Sequence, residues 1–118
     1  MQGTSLAGHS VLIVEDEPLI ALHIRTEFEK AGANAITVHS LRDAFRHVEQ
    51  DGVSGVVLDY GQGSQDGDAL CHHLRQRDIP FILHSGYEHI SDACRGGIII
   101  PKPAKPEVLI EALLRALR

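Results

Sequence analysis

The 118-residue chain has only two cysteines, no apolar run approaching the length of a membrane span, no cluster of basic residues and no internal repeat or low-complexity tract. Each shortage excludes something. Cys71 and Cys94 fit no zinc or redox-motif spacing, and two thiols in a reducing compartment are most often small, partly buried side chains, so no disulfide is expected. A transmembrane helix needs about 20 apolar residues in succession, which excludes a membrane-spanning role. Met1 to Ser10 is short and polar, without a basic region leading into an apolar core, so it is read as a frayed tail rather than a signal peptide, and a cytoplasmic location is expected. The net charge is -5 and the 11 Lys and Arg residues are dispersed, which argues against a nucleic-acid surface and for a protein or small-anion partner. Eight histidines are present, yet none forms an i, i+4 pair with an acidic companion, so no zinc site is expected from them.

What remains is an ordinary composition, 43% hydrophobic and 23% charged, in a chain sized for one domain, expected over residues 10–118 after a flexible tail of residues 1–9. Strand-length apolar runs alternate with helix-period segments. SVLIV (10–14), AITVH (35–39), GVVLD (55–59), PFILHS (80–85) and GIIIPK (97–102) read as strands. PLIALHIRTEFEKAG reads as a helix with Leu19, Leu22, Ile24 and Phe28 along one side, Pro18 in its first turn and Gly32 as its stop. SLRDAFRHVEQDG starts from the N-cap serine Ser40, DGDALCHHLRQRD is a third helix, and PEVLIEALLRALR closes the chain, packing Val108, Leu109, Ala112, Leu113 and Ala116. Alternating strands and helices imply parallel, right-handed crossovers, hence an open α/β sheet covered on both faces, with working residues at the carboxyl ends of the strands.

At those ends stand Glu15, Asp16 and Glu17, then Asp59, Ser85 and Lys102. Singly, each has a plain structural use: a helix N-terminus, a turn, a cap or a solvated charge. Converging on one rim, they form an acidic cluster that a hard cation would neutralise, and magnesium suits few carboxylates, retained waters and a phosphate oxygen. Asp59 then supplies an attacking oxygen, Lys102 opposes the charge on a phosphoryl group, and Ser85 hydrogen-bonds one of its oxygens.

VLIVEDEP, the aspartate of VVLDY, the serine of FILHSG and the lysine of IIIPKP, in that order and across nearly the whole chain, resemble the receiver domain of two-component response regulators. The resemblance implies a flavodoxin-like (CheY-like) doubly wound sheet of order 2-1-3-4-5. It makes Asp59 the phosphoacceptor and Asp16 and Asp59 the carboxylate ligands of Mg2+, with Gly61 contributing a backbone carbonyl and Glu15 acting through water. It further implies a sensor histidine kinase or phosphotransfer protein as donor, a downstream protein partner, and no catalysis beyond the domain's own phosphorylation and dephosphorylation.

The chain departs from that family in three places. Only sixteen residues separate Ser85 from Lys102, so the fourth helix is expected to be short or absent. Ile99 stands where receivers usually carry an aromatic ring, which removes the usual ring switch. Gly63 stands where a proline is common, implying a more mobile loop. The first two departures, with PFILHSGY, are similar to the subgroup nicknamed FAT GUY regulators, paired with HWE-type or related kinases, although His84 and Ser85 replace its alanine and threonine. The segment from Gly86 to Gly97 is expected to be mobile until phosphorylation draws Ser85 toward the phosphoryl group. Rival readings are a haloacid-dehalogenase-type phosphatase, which wants a DxD pair that VEDEP does not supply, a nucleotide site at GQGSQDG, which fails the GxGxxG spacing, and a pseudo-receiver used only for protein contact.

Overall fold

The computed structural model describes residues 5–50, 52–59, 65–86 and 90–117. Its elements run β1 (Ser10–Val14), α1 (Pro18–Lys30), β2 (Asn34–Val38), α2 (Leu41–Gln50), β3 (Gly55–Asp59), α3 (Gln65–Gln76), β4 (Phe81–Ser85), a 3-10 turn at Asp92–Cys94, β5 (Ile98–Pro101) and α4 (Pro106–Ala116). All neighbouring strands pair in parallel, as the alternation implied, in the order β2-β1-β3-β4-β5, the flavodoxin-like order implied by the receiver resemblance.

Successive side chains point to opposite faces, so the central strands β1, β3 and β4, buried on both, read as nearly unbroken apolar runs, while the edge strands β2 and β5 keep exposed positions. Leu12, Val14, Val56, Leu58, Phe81 and Leu83 pack with Ala44 and Val48 of α2 and with Leu70 and Leu74 of α3. On the opposite face Val11, Ile13, Val57 and Ile82 meet Ile24 and Phe28 of α1 and Leu109 and Leu113 of α4. Register then carries the rim into line, because Val14 lies beside Leu58 and Asp59 beside His84.

The helix faces differ from the expected stripes. In α1 the buried positions are Ala21, Ile24 and Phe28, whereas Leu19 and Leu22 are 75% and 55% exposed. Spacings of three and four residues keep the buried trio on one side, and the small Ala21 lets the helix approach the sheet. In α4, Leu109 and Leu113 are buried while Val108 is largely exposed. Gly32 ends α1 with a φ of +102°, a conformation suited to glycine, and an added Cβ would lie 3.0 Å from the backbone nitrogen of Ala7.

Two further expectations are corrected. The tail thought to fray up to residue 9 is docked from Ser5 onward. Leu6 is fully buried, its N–H donates to the Ala31 carbonyl at 2.7 Å, and the Asn34 N–H donates to the His9 carbonyl at 2.9 Å. An apolar side chain closing the end of α1 outweighs the polar composition around it. The cysteines, expected as separate thiols, are joined: Cys71 of α3 and Cys94 form a disulfide with their Cα atoms 5.0 Å apart. Because the two lie 23 residues apart in different elements, their spacing carried no sign of the contact.

The connector between β4 and β5 is as short as expected, and among its described residues a 3-10 turn at Asp92–Cys94 is the helical element. Its described part is held more firmly than its glycines suggest, since Ile90 and Cys94 are buried and the Ser91 hydroxyl donates to the Asp68 carboxylate at 2.6 Å. Residues 87–89 lie outside the described residues. Among the described residues no helix is long and apolar enough to cross a membrane.

Gly97 starts the return into β5 against Phe81, where an added Cβ would stand 2.4 Å from a ring carbon and 2.9 Å from the Phe81 carbonyl oxygen. Gly97→Ala is therefore expected to cost about 1–3 kcal/mol in urea denaturation, as overpacking does, while Leu19→Ala on the exposed face of α1 stays within about 0.5 kcal/mol of wild type.

Candidate functional site

β1 and β3 are adjacent and end level with each other, so the residues that follow them are forced together. Glu15 continues β1, its N–H donating to the Val38 carbonyl at 3.0 Å, and Asp16 follows before α1 begins. One carboxylate oxygen from each of Glu15, Asp16 and Asp59 lies within 4.8 Å of the others. Glu15 is buried, Asp59 half-buried and Asp16 exposed, so the cluster opens outward from the sheet.

Its charges are answered in several ways. The Glu15 carboxylate accepts the Glu17 N–H at 3.1 Å, at the turn where Glu17 caps α1. The Lys102 ammonium, arriving from the end of β5, makes an ion pair with Oδ1 of Asp59. The backbone N–H of Lys102 donates to the Ser85 carbonyl at 2.9 Å, so β4 sets where the lysine side chain starts. Burial, aided by the neighbouring Asp59, pushes the Glu15 carboxyl up to about 7 against the opposing pull of the Glu17 N–H and Lys102. Without a cation this site holds a proton near neutral pH.

Glu15, Asp16, Asp59 and Lys102 are thus brought together as the sequence implied. Ser85 closes β4 one residue beyond His84, the register partner of Asp59, and is buried. Gly61 and Gly63 lie outside the described residues. Sequence reasoning gave too little weight to two histidines. His84 is 7% exposed beside Asp59, with neither ring nitrogen hydrogen-bonded, and burial followed by the charge of Lys102 lowers its pKa, so the ring stays neutral. A polar residue inside the apolar run FILHS was the available signal. His39, just beyond β2, donates from Nδ1 to the Glu15 carbonyl at 2.9 Å and fastens the backbone under the acidic cluster.

Three carboxylates facing one lysine at the carboxyl end of a 2-1-3-4-5 sheet are the setting in which the comparisons with known proteins acquire meaning. Residues 11–114 match the model of the response regulator receiver domain. The chain belongs to that family. The heme response regulator HssR of Staphylococcus aureus is 29% identical over 113 residues, covering 91% of this chain and 50% of its own length, so the chain spans about half the length of the curated relatives it matches. The signal receiver domain of a signal transduction histidine kinase from Syntrophus aciditrophicus is 31% identical, with a TM-score of 0.77 over 93% of this chain and 90% of that one. The response regulator TrrA of Thermotoga maritima, solved with Mg2+ and BeF, shares the fold at a TM-score of 0.81 and 21% identity over 92% and 99% of the two chains. As a receiver domain the protein is a phosphoacceptor module of two-component signalling, a class not generally catalytic toward other substrates.

The acidic cluster makes the metal-free receiver sensitive to pH. Because the Glu15 pKa is raised on folding, from 4.5 to about 7, the folded state binds more protons than the unfolded chain between those values. The stability Glu15 contributes is therefore full below about pH 4.5 and lost as pH rises through about 7. In EDTA, the stability of wild type minus that of Glu15→Gln should fall across this window, with a slope approaching about 1.4 kcal/mol per pH unit, and flatten above it. A difference independent of pH in urea titrations would contradict the assignment.

Proposed function

We propose that this receiver domain takes a phosphoryl group from a phosphohistidine, carried by a sensor histidine kinase of HWE or related type or by a phosphotransfer protein, onto Asp59. The observation that carries the reading is the Lys102 ammonium paired with Asp59 while two further carboxylates stand within 4.8 Å of it. Repelling carboxylates in one cluster, one of them driven to hold a proton, fit a divalent cation. Asp16 and Asp59 would bind Mg2+ directly, Glu15 through water and Gly61 through its carbonyl, and the bound ion would offset charge on the phosphoryl oxygens.

Asp59 is the nucleophile. One of its carboxylate oxygens forms the bond to phosphorus as the bond to the donor imidazole nitrogen breaks, and the electron pair leaves with that imidazole. Lys102, already at the carboxylate, shifts its charge toward the incoming phosphoryl oxygens, and the Ser85 hydroxyl supplies a neutral donor from the end of β4. His84, buried beside Asp59, adds no charge there. The domain turns over nothing beyond its own phosphorylation and dephosphorylation, and no nucleic acid or membrane takes part. Leu19, Ile20 and Leu22, exposed on the first turns of α1 beside the acidic loop, offer the donor protein an apolar footing. A downstream protein then reads the altered surface, and we assign the exchange to the cytoplasm.

With Mg2+ and a small phosphodonor, intact-mass measurement should find one phosphoryl group on wild type and none on Asp59→Asn. A labelled Asp59→Asn protein would move the acceptor elsewhere. Lys102→Ala should remain folded but lose most of the phosphorylation-dependent change, at least tenfold in rate or in response, measured by tryptic mass mapping and amide exchange. Full response in that variant would reduce Lys102 to a surface charge.

A further inference from the structure

We propose that Cys71 and Cys94 are a reversible redox site, joined in the oxidised protein and separate thiols in the reduced one, that fastens the connector between β4 and β5 to α3. Both cysteines are fully buried in the cluster containing Leu70, Leu74, Phe81 and Ile90. The dithiol form is accommodated as well. Sγ of Cys94 lies 3.9 Å from the Gly67 carbonyl and 3.7 Å from an Asp68 carboxylate oxygen, both able to accept its S–H. A cytoplasmic disulfide is usually transient or regulatory, and acceptors already stand near the Cys94 sulfur for its reduced form.

Position makes the pair consequential. The ring it closes contains the end of α3, all of β4 with His84 and Ser85, and the connector, and the cross-link falls midway in sequence between Ser85 and Lys102. Any shift of Ser85 must be absorbed by the residues leading to Cys94, and the disulfide anchors their far end.

The exchange is balanced. A thiolate of a dithiol reductant attacks one sulfur, giving a mixed disulfide and one free cysteine. Its second thiolate then displaces the other cysteine, so the protein gains two electrons and two protons and the reductant leaves as its disulfide. A low-molecular-weight disulfide reverses both steps, leaving as two thiols. Since both sulfurs are buried, exchange requires the connector to lift from α3. Phosphorylation at Asp59, where that reading holds, needs the same segment to move, so each event should alter the ease of the other.

The test begins with wild type equilibrated in glutathione buffers of graded ratio, with free thiols counted by alkylation and mass, and amide exchange followed in peptides from residues 67–76 and 90–97. Both cysteines should titrate together, and the connector should exchange at least tenfold faster in the dithiol form. Cys94→Ala, with Cys71→Ser as a second variant, should show one exchange pattern in every buffer. The inference is overturned if both thiols stay free in excess oxidised glutathione, if the disulfide survives excess reduced glutathione under native conditions, or if connector exchange is equal in the two forms. The same measurement on Asp59→Asn separates the proposals: a redox-dependent connector there upholds the cysteine site whatever the fate of the phosphoacceptor assignment.

Discussion

Glu15, Asp16 and Asp59 repel one another across less than 4.8 Å, and much of the surrounding structure is organised by the need to contain that repulsion. Parallel pairing of β1 with β3 forces the approach, since register brings the strand ends level and leaves the carboxylates no other place to go. Lys102 cancels part of the charge, the Glu17 N–H another part, and a proton on Glu15 relieves the rest when no cation is near. Such a site is poised: whatever brings positive charge is welcomed, and whatever binds must displace a proton or a lysine contact.

The frame is rigid because its three central strands, β1, β3 and β4, are buried on both faces. Val11, Ile13 and Val57 hold one side against α1 and α4, and Leu12, Val14 and Leu58 hold the other against α2 and α3, so the sheet cannot tilt at the rim without disturbing both clusters. Among the described residues, the crossover from β4 to β5 departs from the helical connections of the rest. There the helical element is a 3-10 turn, and Ser91, Cys94 and Gly97 tie it down through a hydroxyl, a sulfur and a close approach to Phe81. A connector fixed at a few distinct points can change state by releasing one of them.

Most of the architecture was legible from alternation alone. The apolar runs fell on the five strands to within a residue or so at each end, because burial of the central strands on both faces leaves few polar positions to blur the pattern. Glu15, Asp16, Asp59 and Lys102 were legible as a group for a related reason: in a parallel sheet the strand ends share one rim, so order along the chain becomes proximity in space. Helix faces were harder. An apolar residue such as Leu19 or Val108 can point at the core or at solvent with the same local sequence, and the packing of the helix on the sheet decides which.

By itself, then, the sequence determined the five-stranded α/β order and which charged residues meet at its mouth, since both follow from periodicity and chain direction. Tertiary structure alone decided that Leu6 closes the end of α1, that His84 lies neutral beneath Asp59, that Glu15 is buried deeply enough to hold a proton and that Cys71 reaches Cys94. Each of these depends on a distance between segments far apart in the chain, and such distances are set by how side chains fill the space between elements. No local pattern encodes them.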